Sequence, residues 1–279
     1  MAYKRTSKKR ASPQGALFVC LLFYFAIVSA PAMAAQTRQA NCAANAVDET
    51  VTVAQVIDGD TLRLRDGRSV RLIGINAPEI GRKGRPSEPL AEAARETLQA
   101  LLGKTTPVGL RFDREKRDHY GRLLAHVYLQ DGKSVEAALL EAGLAAQIVV
   151  PPNVMQLDCY RTAENKARKA RKGVWQNIYR PVPVRKLSRD SRGFRIIRGR
   201  VLQMGESRRS LWLNFQPRTG EGAREGVAVR IARTDLEWFD QRQLHSLRGK
   251  NIMVRGWLSP YKKQLVMRLR HPASLEVVP

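Results

Sequence analysis

"IDGDTLRLRDGRSVRLIGINAPE", residues 57–79, decides the reading of this chain. "TLRLRD" and "SVRLIGIN" are short β-rich runs around Asp66-Gly67, a pair that favours the tight positive-φ turn of a hairpin. In "SVRLIGI", Val70 and Leu72 share one alternation face, and Ile73 and Ile75 share the other. The strand is therefore expected to be buried on both sides. Arg71 stands inside it. An unpaired buried guanidinium is very costly, so Arg71 requires a carboxylate or phosphate partner. Asp58, Asp60 and Glu79 bracket it in sequence, and a structural Arg–Asp pair would satisfy it as well as a ligand would.

Outward from this stretch, "VTVAQVID" adds a strand before it, and "LAEAARETLQALLG" has helical apolar spacing with a glycine stop. "PVGLRFD" and "RLLAHVYLQDGKSV" read as two more strands, "VEAALLEAG" as a short helix, and "QLDCYRTAENKARKARKG" as a longer one. Five strands with a helix between the third and fourth, then two helices, predict a mainly β chain with some α. The layout is an OB-type five-stranded Greek-key barrel with three helices over residues 49–178. Residues 179–192, with two prolines and several basic residues, read as a linker. "FRIIRGRVLQM", "SLWLNF", "VAVRIAR", the helical "TDLEWFDQRQLHSL", "NIMVRGWL" and "QLVMRLR" repeat the order, which predicts a second small OB-like barrel over 193–279.

The first 34 residues are read as a signal peptide: a basic start, the short apolar run "ALFVCLLFYFAIV" and an A-x-A site ending at Ala34. That run falls short of the roughly 20 residues of a comfortable span. An uncleaved anchor is the alternative; after cleavage no membrane association is expected. Residues 35–48 are small and polar, and are expected to be disordered except where Cys42 tethers them. Losing the five basic residues of the leader takes the net charge from +24 to +19. Such a charge calls for a polyanionic partner, nucleic acid first and an anionic membrane surface second. With Cys20 gone, Cys42 and Cys159 remain, and in an exported chain two cysteines predict one disulfide.

A second arginine, Arg122 in "DHYGRLLAHVY", heads a strand after a Tyr-Gly turn. Two arginines converging on carboxylates suit phosphodiester hydrolysis. Planar guanidiniums stabilise the extra charge of the pentacovalent transition state. A hard cation on carboxylate oxygens can hold and polarise the phosphate, and another glutamate can act as general base on water.

"VIDGDT", "VRLIGINAPE", "DHYGRLLAHVY", "EAGLA" and "ARKARKGVW" closely resemble the staphylococcal nuclease family, over roughly Val51 to Trp175. The resemblance implies a calcium-dependent nuclease acting on DNA and RNA, single strands preferred, that cleaves the P–O5′ bond and leaves 3′-phosphates. It implies Asp60, Asn76 and the Ala77 backbone carbonyl as metal ligands, with Asp58 beside them. Glu79 would be the general base, and Arg71 and Arg122 the phosphate-binding arginines. Magnesium or manganese are the alternative cations, and a monomer is expected.

Two departures stand out. Asn76 occupies a position where the family has an aspartate, which removes one negative charge and should weaken calcium binding. "GLAAQIVVPPN" holds only aliphatic and polar residues where the family has nucleotide-packing tyrosines. That leaves Tyr120 as the nearby aromatic, with His119 beside it. In the C-terminal half, with 17 Lys/Arg against 7 Asp/Glu, Trp212 falls on the face opposite Leu211, Leu213 and Phe215. It suits either a single-strand stacking platform or packing. The competing function is a nucleic-acid-binding protein whose metal site has degenerated at Asn76. The composition offers no zinc spacing, glycine-rich phosphate loop or nucleophile elbow.

Overall fold

A computed structural model of the chain describes residues 42–44, 46–82, 84–103, 107–215, 226–261 and 264–279. The leader reading and most of residues 35–48 lie outside the described residues. Five strands close the first barrel: β1 (Glu49–Asp58), β2 (Thr61–Leu64), β3 (Ser69–Leu72), β5 (Pro107–Arg117) and β6 (Leu123–Tyr128). They run in the order β1-β2-β3-β6-β5 and close on β1, with β3 and β6 parallel and the other pairs antiparallel. Leu62, Val70, Leu72, Leu110 and Val127 fill its interior. Helices α1 (Ala91–Leu102), α2 (Val135–Glu141) and α3 (Leu157–Lys169) pack around it. Ser134 caps α2 by accepting the Ala137 N–H at 3.2 Å.

The strand expected over "SVRLIGIN" is broken. It leaves the barrel after Leu72, turns at Gly74 (φ +84°) and resumes as β4 (Ile75–Asn76), which pairs with β7 (Ala146–Gln147). Only glycine fits this turn, since a Cβ at 74 would lie 2.6 Å from the Tyr160 ring. The break carries Asn76 out of the barrel.

The second half repeats the architecture. β9 (Gly193–Ser207), β10 (Ser210–Phe215), β11 (Val227–Ala232), β12 (Asn251–Tyr261) and β13 (Gln264–Arg268) follow the order β12-β13-β11-β10-β9. A β12–β9 pairing closes the ring. Its third and fifth strands, β11 and β13, are parallel, as β3 and β6 are in the first barrel. The helix expected between the third and fourth strands divides into a 3-10 segment (Arg233–Trp238) and α4 (Gln241–His245). Asp240 restarts the helix by accepting the N–H groups of Arg242 and Gln243. In this half two short strands escaped the sequence reading, β8 (Val182–Pro183) beside β9 and β14 (Leu275–Val278) beside β12, as β7 did in the first.

Described residues within 179–192 and 42–48 have fixed partners. In 179–192, Tyr179, Val184 and Leu187 are buried. Near the start, Cys42 forms a disulfide with Cys159 of α3, and Asp48 accepts the Phe112 N–H at 2.8 Å. The barrels meet in a small apolar core of Ala146, Val174, Tyr179, Phe194, Ile196 and Met253. Among the described residues, no helix is long and apolar enough to cross a membrane.

Candidate active site

The turn from β1 into β2 brings Asp58 and Asp60 to one end of the first barrel. Gly59 lets that turn press against its neighbours, since a Cβ there would lie 2.6 Å from the Ala77 Cβ and 2.7 Å from the Ala94 Cβ of α1. β2 pairs Thr61 with Arg71 of β3, which sets the arginine beside the acids. An Arg71 terminal nitrogen meets the Asp60 Oδ2 at 2.9 Å, and the guanidinium also donates to the carbonyls of Leu72 and Ile75. The half-buried arginine thus has the carboxylate partner that its position required.

Asp60 is 3% exposed. Its Oδ2 accepts the Ala77 N–H at 2.9 Å and its Oδ1 accepts the Thr61 hydroxyl at 3.1 Å. Burial still holds its carboxyl well above the usual range; Asp58 and Glu79 add to that, and Arg71 and the Ala77 N–H oppose it. Glu79 is pushed up as well, by burial first and then by Asp58. Its backbone is clamped to residue 88: the Glu79 N–H donates to the Glu88 carboxylate, and the Glu88 N–H to the Glu79 carbonyl. Asp118 accepts the Arg122 Nε at 2.7 Å and the Arg122 and Tyr120 N–H groups through its other oxygen. Among the described residues, the Arg122 guanidinium hydrogen-bonds to Asp118 alone, and it lies 5.5 Å from the centre of the Tyr120 ring.

Asp58, Asp60, Arg71, Asn76, Glu79, His119, Tyr120 and Arg122 line one cleft of about 1460 Å³. Ala77 lies just beneath it. Trp212 is elsewhere: it stands on the outward face of β10, donates to the Ser207 Oγ at 3.3 Å and has the Arg230 guanidinium 5.9 Å away. Two cleft features were missed in the sequence. Trp257, from β12 of the second barrel, lines the cleft. Tyr179, from the supposed linker, receives a hydrogen bond from the Asn76 Nδ2 at 3.5 Å. Burial raises the Tyr179 hydroxyl far above its usual range, so it stays protonated.

Among the described residues, no three His, Cys, Asp or Glu side chains stand together as a metal cage. A donor set here would draw on Asp60, the Asn76 amide oxygen and a backbone carbonyl, with Asp58 beside them. That set is oxygen only, which fits a hard cation.

Residues 69–177 match the family model described as staphylococcal nuclease homologue. The chain is similar to the thermonuclease of Staphylococcus hyicus, with 34% identity over 137 residues, 48% of this chain and 79% of the relative. It is also similar to the thermonuclease of Staphylococcus intermedius, with 36% identity over 131 residues, 46% of this chain and 77% of the relative. Endonuclease YncB of Bacillus subtilis (strain 168) is 36% identical over 130 residues, 45% of this chain and 61% of that protein. The family match ends before the second barrel begins.

Proposed function

Given that the chain belongs to the staphylococcal nuclease family, and so is a hydrolase of the endonuclease type, we propose that this cleft hydrolyses DNA and RNA, single strands preferred, with calcium bound at Asp60, Asn76 and the Ala77 carbonyl and Asp58 beside them. The observation that carries the proposal is the convergence of Glu79, Arg71 and Arg122 with the paired aspartates in one cleft.

The cation, when bound, supplies charge that holds and polarises the scissile phosphate. Glu79 takes a proton from water as the water oxygen attacks phosphorus. Its raised affinity for protons makes it a better base than an unperturbed carboxylate. Arg71, fixed by Asp60 and two backbone carbonyls, presents a guanidinium to the phosphate oxygens in the ground and transition states. Arg122, oriented through its Nε, meets the charge that grows in the pentacovalent transition state. The P–O5′ bond breaks, the departing O5′ takes a proton from water and Glu79 returns its proton to solvent, leaving a 3′-phosphate and a 5′-hydroxyl.

Cleavage of denatured DNA by residues 35–279, titrated with calcium against an EDTA control, tests this. Metal-dependent cleavage that Glu79→Gln abolishes is the expected result. Protein that retains DNA but stays inert in calcium, magnesium and manganese would establish a binding module instead. Export belongs to the same proposal, supported by the leader-like segment 1–34 and the Cys42–Cys159 disulfide. N-terminal sequencing of the mature protein should begin at residue 35.

A further inference from the structure

The first barrel has no aromatic side chain in residues 143–153. The second barrel brings one to the cleft. Trp257 is 47% exposed, on the face of β12 opposite the buried Gly256 and Leu258. It borders the cleft that holds Arg71, Glu79 and Arg122. It also borders an adjoining cleft of about 460 Å³ that shares Arg71, His119 and Arg122 and extends to Arg270.

The ring is held from behind. Trp257 pairs with Phe194 across β12 and β9, and the two rings meet edge to face at 5.4 Å. Phe194 meets Tyr179 in the same way at 5.1 Å, and Tyr179 is the residue bonded to Asn76. A large exposed ring fixed by two buried ones, beside cationic side chains that suit a phosphate backbone, is the arrangement that single-strand binding uses. We infer that Trp257 is the stacking platform for a nucleobase flanking the scissile phosphate, so that both barrels build the substrate site. The inference rests on the nuclease reading of the cleft.

The test compares the full chain with Trp257→Ala and Trp257→Tyr. Binding of a labelled single-stranded oligonucleotide is followed by anisotropy in EDTA, and cleavage in calcium gives kcat and KM. Trp257→Ala should weaken binding and raise KM about tenfold, or about 1.4 kcal/mol, within the range for one stacked base. Its kcat should change less than twofold, and Trp257→Tyr should restore most of the affinity. An oligonucleotide made abasic around the scissile position should bind wild type and Trp257→Ala equally. Wild-type affinity in Trp257→Ala would overturn the inference. So would a loss that Tyr does not rescue, or one that persists with the abasic strand, since either makes Trp257 structural. A wild type that binds but never cleaves would sink the nuclease reading, while the binding comparison would still decide the role of Trp257.

Discussion

Arg255 of the second barrel donates through one terminal nitrogen to both carboxylate oxygens of Glu164 in α3 of the first, at 2.8 and 2.7 Å. Both residues are buried. Glu164 in turn accepts the Gln147 N–H at 2.7 Å, and Gln147 belongs to the ribbon that pairs with Asn76. A line of contacts therefore runs from the second barrel to the proposed metal site. Removing one partner of a buried pair leaves the other charge uncompensated. Arg255→Met should lower unfolding stability by about 3–5 kcal/mol. Arg255→Met with Glu164→Gln should lose less than Arg255→Met alone, as measured by urea denaturation. Equal losses would show that the pair is not coupled.

Asn76→Asp should change stability in opposite directions with and without metal. A third acid near Asp58 and Asp60 adds repulsion, so the metal-free protein should melt at a lower temperature. With calcium bound, the added charge should cut the half-saturating concentration about tenfold, in line with the dependence of affinity on ligand charge. Melting curves across a calcium titration test both effects. An unchanged calcium requirement would remove Asn76 from the metal site.

Glu136 is fully buried, accepts the Val127 N–H and the Ser134 hydroxyl, and is pushed up to about 7 by burial. Its folded value lies above its unfolded one, so its contribution to stability is complete below pH 4.5 and is lost as pH rises through 7. Glu136→Gln removes that dependence. The stability of the variant relative to wild type should rise by up to about 3 kcal/mol between pH 4.5 and 8. A difference that is flat with pH would contradict this.

The Cys42–Cys159 disulfide spans 117 residues. Loop-closure entropy assigns such a crosslink up to about 4–5 kcal/mol. Cys42→Ala with Cys159→Ala should show a destabilisation approaching that size. Reducing agent should weaken wild type similarly and leave the double variant unchanged.

Much of this protein was legible in local sequence, because the features in question are local. Period-two alternation and the Asp-Gly turns mark the barrel strands, and a helix between third and fourth strands recurs in both halves. The demand of Arg71 for a carboxylate followed from apolar neighbours on its own strand, and Asp60 meets it. Alternation also placed Trp212 on an outward face, where it stands. Which outward tryptophan reaches the cleft was another matter. Trp257 does so because the barrels dock through Tyr179, Phe194 and Met253, and no periodicity encodes that docking. The contact between Asn76 and Tyr179 joins residues 103 apart, and the pair of Arg255 and Glu164 joins residues 91 apart. Sequence by itself determined the barrel strands, the Asp-Gly turns and the need of Arg71 for a carboxylate, since those rest on steric and hydrophobic preferences over a few neighbouring positions. Tertiary structure alone decided which side chains from the second barrel and the connecting segment reach the cleft and Asn76, because burial and pairing between distant segments exist only once the chain has closed on itself.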